Sequence, residues 1–245
     1  MRLTVLGRYG PSPAANGACS GYLLEAEDAC ILLDCGNGVL ARLLNYKALE
    51  DIDAIILSHL HSDHVSDMLV LRYALDILKK RGRWLKPLTV YAPQMPDNVW
   101  RDLHFNDVFD LQPISADLEV KIGSVRISFE KMVHPVPTFA TKFEDINGRI
   151  FVYSGDTSEN DALIKFSSGC DMLLCDGGLL APEKTSPNAP HLSAKEAAMT
   201  ASCAGAKAFL LTHLWFEHDE ELYKDEARVY YSDVQIAREL HTYEI

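Results

Sequence analysis

Short apolar runs alternate with amphipathic stretches along most of the chain. Runs rich in Val, Ile, Leu, Phe and Tyr, closed by turn residues, predict strands at residues 3–6, 21–25, 30–33, 54–57, 88–91, 125–132, 138–145, 149–153, 172–175 and 208–211. Asn147-Gly148, between two of them, is a hairpin signal. Val65, Met68, Leu69, Leu71, Leu75 and Leu78 recur close to helical period and predict a helix over 64–80, with Ser62 or Asp63 placed to cap it. Ser193 and Glu196 form a capping box that starts a helix over 193–204. A short helix is predicted over 233–241. A β-rich first half followed by alternating β and α predicts an α/β fold with helices outside two packed sheets.

Composition narrows the class. The 245 residues suffice for a sizeable core, and no Pro/Gly/Ser linker, repeat or low-complexity tract divides them, so 1–245 reads as a single domain. Hydrophobic content of 48% and charged content of 24% are ordinary for a soluble protein. No apolar run approaches the roughly 18 residues of a membrane span, and the N-terminal run is too short for a signal peptide. The six cysteines form no C-x-x-C pair; several lie in apolar runs and read as reduced, buried thiols of a cytoplasmic protein. The formal net charge of −12 repels polyanions and argues against a long nucleic acid as partner. A small anion drawn to a locally positive metal pocket is compatible with it.

The chemistry concentrates after the strand at 54–57. Ser58-His59-Leu60-His61-Ser62-Asp63-His64 places four potential metal ligands within six residues. His59 and His61, two apart, share one face of an extended segment. Asp63 and His64 follow where the helix is expected to begin, so they can aim at a second ion. Three more candidates sit just past strand ends: His134 before Pro135, Asp156 in Ser154-Gly155-Asp156, and His213 in Thr212-His213. Taken one at a time, each fits a packed or solvated residue. The repeated placement at strand ends, where α/β sites gather their functional groups, argues for one site.

His59-Leu60-His61-Ser62-Asp63-His64 matches the H-x-H-x-D-H signature of the metallo-β-lactamase superfamily, and His134, Asp156 and His213 match its later motifs in order. The resemblance covers essentially the whole chain. It implies a four-layer αββα sandwich with two divalent metal ions at one edge of the sheets. One ion falls to His59, His61, His134 and Asp156, the other to Asp63, His64, Asp156 and His213, with Asp156 bridging. Asp34 matches an early Asp that supports the site without binding metal. Asp156 stands where the true β-lactamases carry Cys, and His61 where the diiron oxygen-reducing branch carries Glu, which disfavours both activities. The ligand types suit zinc, with manganese or iron as alternatives.

His191-Leu192-Ser193-Ala194-Lys195-Glu196-Ala197 resembles a motif of the ribonuclease Z and phosphodiesterase branch. From spacing alone His191 reads equally well as a helix-flanking residue. The resemblance makes it a phosphate contact and proton donor, so His191 and Asp63 are the expected catalytic residues. The Gly- and Pro-rich segment 7–20 is a loop that also resembles this branch. Enzymes of the branch that process transfer RNA carry a long inserted arm between the motifs of His134 and Asp156; here those residues are only 22 positions apart. The expectation is a phosphodiesterase for small or cyclic phosphodiesters, in which water activated by the two metals attacks phosphorus. The alternatives are a lactone, ester or thioester hydrolase using the same metals, and a catalytically silent binding protein. Family members are often dimers, so analogy suggests a homodimer. Two aromatic segments, 93–106 with Trp100 and His104, and 215–218, are candidates for a pocket wall.

Overall fold

The structure, a computed structural model, describes residues 1–186 and 189–245. The strands β1 (Arg2–Gly7), β2 (Gly21–Glu25), β3 (Cys30–Leu33), β4 (Ala54–Ile56), β5 (Leu88–Ala92) and β6 (Phe109–Pro113) form one sheet in chain order. A second sheet holds β7 (Glu119–Ile122), β8 (Val125–Lys131), β9 (Phe139–Glu144), β10 (Ile150–Tyr153), β11 (Met172–Asp176), β12 (Phe209–Thr212) and β13 (Gln235–Ile236). The chain then returns as β14 (Thr242–Glu244), antiparallel to β1 at the edge of the first sheet. Helices α1 (Val39–Leu43), α2 (Ser62–Val65), α3 (Met68–Lys80) and α4 (Asp97–Leu103) belong to the first half. Helices α5 (Asp161–Phe166), α6 (Ala194–Ala204) and α7 (Glu220–Arg228) belong to the second.

Three apolar layers hold the sandwich together. Tyr22, Leu24 and Ile31 meet Phe129, Phe143 and Phe151 between the sheets. Their strand neighbours Leu23 and Leu32 face the other way, onto Met68, Leu71 and Leu75 of α3. Val152, Leu173 and Leu211 face Ala197, Ala198 and Ala201 of α6 and Tyr223 of α7. Strands buried on both faces explain why they read as continuous apolar runs. Each large side chain so buried stabilises the fold by ~1.5–3 kcal/mol. The result is the expected αββα sandwich. Strands β3 to β6 and β10 to β13 run parallel.

The structure departs from the sequence expectations in several places. The helix over 64–80 is two helices, because Asp67 turns its backbone N–H to Cys35 O (3.0 Å) and its carboxylate to Leu40 N–H (2.9 Å). Neither Ser62 nor Asp63 caps it; His61 precedes α2 and gives no side-chain cap. The helix over 233–241 does not form. Ala237 N–H bonds Leu211 O (2.8 Å) and Ile236 enters the core, so pairing with β12 overrides a weak helical pattern. Strands β6, β7, β13 and β14 went unread, as did α1, α4, α5 and α7. All six cysteines are free; five are buried as expected, and Cys203 is exposed. Among the described residues no helix is long and apolar enough to cross a membrane.

Candidate metal centre

The segments that follow β4, β8, β10 and β12 converge, and they bring all seven expected ligands together in two groups. In the first, His61 Nδ1 lies 3.1 Å from both His59 Nε2 and His134 Nε2, and Asp156 Oδ2 lies 3.6 Å from His59 Nε2. In the second, Asp63 Oδ2 is 3.1 Å from His213 Nε2 and 3.5 Å from His64 Nε2. Asp156 joins the second group as well, with Oδ1 3.4 Å from His64 Nε2 and Oδ2 3.3 Å from His213 Nε2. Four donors bonded tetrahedrally to one ion at about 2.0–2.2 Å stand about 3.3–3.6 Å apart. The observed separations, 3.1–3.6 Å, lie within or just below that spacing.

The hydrogen bonding around the groups sharpens the fit. Asp34, fully buried at a φ of 53°, accepts from Ser58 N–H (2.7 Å), Ser58 Oγ–H (2.8 Å), Tyr153 Oη–H (2.8 Å) and His64 Nδ1 (2.7 Å). A carboxylate only accepts, so His64 Nδ1 carries a proton, and the ring turns Nε2 to the second group. The hydroxyl that Ser58 donates to Asp34 can accept from His59 Nδ1 (3.1 Å), and Pro190 O accepts from His134 Nδ1 (3.0 Å). The nitrogens left bare face one another. Opposed lone pairs repel, and His64 Nε2 and Asp156 Oδ1 are buried without a hydrogen-bond partner. A cation in each group satisfies all of them, and the outer partners fix the ring orientations as metal sites require.

Charge is already distributed for that purpose. Burial, aided by the positive neighbour His64, holds the His59 imidazole well below its usual range. Burial opposes charge on Asp156, yet His213, His64 and His59 together keep its carboxyl well below the usual value. His213 occupies left-handed backbone, with φ 62°. Gly10 packs against it so closely that a Cβ there would lie 1.9 Å from His213 Nε2. The N-terminal loop therefore touches the site, tied down by Gly10 N–H to Leu214 O (3.3 Å) and Leu214 N–H to Arg8 O (3.0 Å).

His191 lies against both groups. Its ring stacks on His213 at 4.9 Å and meets the edge of His134 at 5.4 Å. Ser193 and Glu196 form the expected capping box at the start of α6 and fix the segment that carries it. His191 Nδ1 is 3.0 Å from Asp176 Oδ2, a residue the sequence reading passed over. Asp176 ends β11 and also accepts from Thr157 N–H (3.2 Å) and Gly178 N–H (3.0 Å). Burial opposes charge on His191, but Asp176 outweighs it and the imidazole is pushed up to about 9. The overlooked signal was Asp176-Gly177-Gly178, an acid at a strand end like Asp156.

A cavity of about 230 Å³ opens beside His191 and His213, lined also by Pro11, Leu179, Glu183, Trp215 and His218. Of the two candidate wall segments, 215–218 thus contributes two residues. Segment 93–106 contributes none; it holds α4, whose Val99 and Trp100 pack on the apolar layer under the first sheet.

Comparison with known proteins agrees with this geometry. A family model described as a beta-lactamase superfamily domain matches residues 30–214. The chain is 34% identical over 239 residues to the probable metallo-hydrolase YhfI of Bacillus subtilis, with 97% of each protein covered. The crystal structure of YhfI, a metallo-beta-lactamase fold protein, matches with a TM-score of 0.93 at 33% identity, covering 100% of this chain and 99% of that one. A ribonuclease Z of Methanopyrus kandleri is 27% identical over 270 aligned positions, covering 96% of this chain and 94% of the relative. A diphosphatase of the PhnP family shares the fold at a TM-score of 0.74 and 18% identity, covering 100% of this chain and 97% of that one. Matched along three quarters of its length by the family model, and built around paired His/Asp groups, the chain belongs to the metallo-hydrolases of the beta-lactamase superfamily.

Proposed function

We propose that the protein is a two-metal phosphodiesterase acting on small or cyclic phosphodiesters. In this reading His59, His61, His134 and Asp156 hold one divalent ion, and Asp63, His64, Asp156 and His213 hold the other. Zinc suits this imidazole-rich set best. Such ions, when bound, polarise phosphoryl oxygens and lower the pKa of water. The placement of His191 is the observation that carries the choice of substrate. With Nδ1–H given to Asp176, Nε2–H is the proton left for the oxygen that departs from phosphorus. Asp176 favours the charged form of that imidazole, pushing its pKa up to about 9.

Two of the similar proteins bear names of phosphorus–oxygen hydrolases, a ribonuclease Z and a diphosphatase. Size and charge favour a small substrate here. The 22 positions from His134 to Asp156 are taken up largely by β9, β10 and their turn, which leaves no room for an RNA-gripping arm. The ribonuclease Z alignment spans 270 positions against 245 residues in this chain, so that relative carries inserted residues absent here. The net charge of −12 works in the same direction.

The test is elemental analysis of the purified protein followed by an ester panel. The expected result is two ions per chain and chelator-sensitive hydrolysis of bis-(p-nitrophenyl) phosphate. His191→Ala should keep both ions and lose roughly 10²-fold in turnover. Turnover of lactones or thioesters alone, with none of phosphodiesters, would sink the reading.

A further inference from the structure

The cavity beside His191 has an unusual lining for a site that receives a phosphate ester. Pro11, Leu179 and Trp215 supply apolar surface, and Glu183 supplies a carboxylate. Among the described residues, none that lines the cavity is a lysine or an arginine; its basic groups are histidines. A second carboxylate stands close by, where Glu217 Oε2 accepts from Trp215 Nε1–H (3.2 Å). At about 230 Å³ the space admits one ring-sized group rather than a chain.

This wall is built rather than incidental. Glu183 is held at both oxygens: Oε2 accepts from Leu180 N–H (2.8 Å), and Oε1 lies 3.1 Å from His218 Nε2. His218 Nδ1 is in turn 2.9 Å from the hydroxyl of Tyr223, whose side chain is fully buried. The same hydroxyl accepts from Trp215 N–H (3.2 Å) and lies 3.4 Å from Gly178 O. One buried phenol on α7 thus ties the indole-bearing residue, the histidine and, through it, the carboxylate into one fixed surface. Such pre-ordering is what a recognition wall needs.

We infer that this cavity seats one alcohol arm of the phosphodiester and selects an arm that is flat, apolar and free of negative charge. The inference rests on the phosphodiesterase reading above. The phosphate itself belongs at the paired His/Asp groups; the arm nearest His191 is the one that leaves. A flat arm can lie on the Trp215 indole and displace water from Leu179 and Pro11. An arm bearing a carboxylate or a further phosphate meets Glu183, with Glu217 beside Trp215, while the lining histidines are already engaged, His218 by Glu183 and His191 by Asp176. Like charges brought together there weaken binding.

The experiment compares methyl 4-nitrophenyl phosphate with its 3-carboxylate derivative on the metal-loaded protein. The carboxylated ester should show a kcat/KM lower by roughly tenfold or more, carried mainly by KM. Glu183→Gln should narrow that gap severalfold, and Trp215→Ala should raise KM for the uncharged ester. Binding is followed in parallel by quenching of tryptophan fluorescence with 4-nitrobenzyl alcohol, a neutral ligand, and with 4-nitrobenzenesulfonate. The neutral ligand should quench the wild type and not Trp215→Ala, and the sulfonate should quench appreciably only in Glu183→Gln. Equal kcat/KM for the two esters, or equal quenching by the two ligands, overturns the inference. Selective quenching with neither ester hydrolysed upholds the pocket and refutes the phosphodiesterase reading instead.

Discussion

The floor of the site and its wall are fixed in different ways. On the floor, three imidazoles each have a partner of their own on the outer nitrogen: Asp34 for His64, Ser58 for His59 and Pro190 O for His134. Asp34 alone gathers four hydrogen bonds. On the wall, Trp215, His218 and, at one remove, Glu183 hang from the single hydroxyl of Tyr223. A floor held at many points preserves one geometry, as paired cations demand. A wall held at few points, the Tyr223 hydroxyl and Leu180 N–H, can change its lining without disturbing that geometry. On the proposed function, the contrast assigns chemistry to the floor and substrate choice to the wall.

Substitutions can break or sharpen this contrast. The largest effect belongs to Asp156→Ala, which removes the carboxylate shared by both groups. Metal content should fall below one ion per chain and phosphodiesterase turnover by roughly 10³-fold or more, read by elemental analysis and initial rates. Gly10→Ala comes next, since a Cβ would lie 1.9 Å from His213 Nε2; it should empty the second group first. Titration with zinc should then show one tight site in place of two.

Asp34→Asn should weaken metal affinity by roughly 10–100-fold while leaving the seven ligands intact, as competition with a chelator would show. Asp176→Asn tests the proton donor. Its carboxylate raises the His191 pKa, so its loss lowers that pKa and moves the alkaline limb of the pH–rate profile to lower pH. A limb that stays in place would detach Asp176 from that role. The smallest effect is expected from Tyr223→Phe. It should cost about 1 kcal/mol of stability and raise KM a few-fold, with metal content unchanged. Loss of metal in that variant would erase the distinction between floor and wall.

Much of the floor was legible in the sequence, and the reason is physical. Its ligands follow strand ends, where side chains of a parallel sheet emerge together, and four of them crowd into His59–His64. Asp176 obeys the same rule, at the end of β11, and was passed over although it follows the predicted strand at 172–175. The wall left no such trace. Glu183 lies in a short 3₁₀ turn, and α7 is a mostly polar helix that buries only Tyr223 and Ala227, so neither stands out as an apolar stretch. Two packed sheets with helices outside followed from the order of strands and helices, and the four-layer αββα arrangement from the family resemblance. The edge strands β6, β7 and β14 escaped because edges carry polar residues to discourage pairing with other chains. The helix expected at 233–241 failed where a tertiary bond, Ala237 N–H to Leu211 O, outweighed local preference.

The central claim is that two cations share Asp156. Anomalous diffraction at the zinc edge from crystals of the zinc-loaded protein tests it most directly. The account predicts two peaks about 3.5–4 Å apart, one on each side of the Asp156 carboxylate. A single peak, or two peaks of which only one touches Asp156, would contradict it.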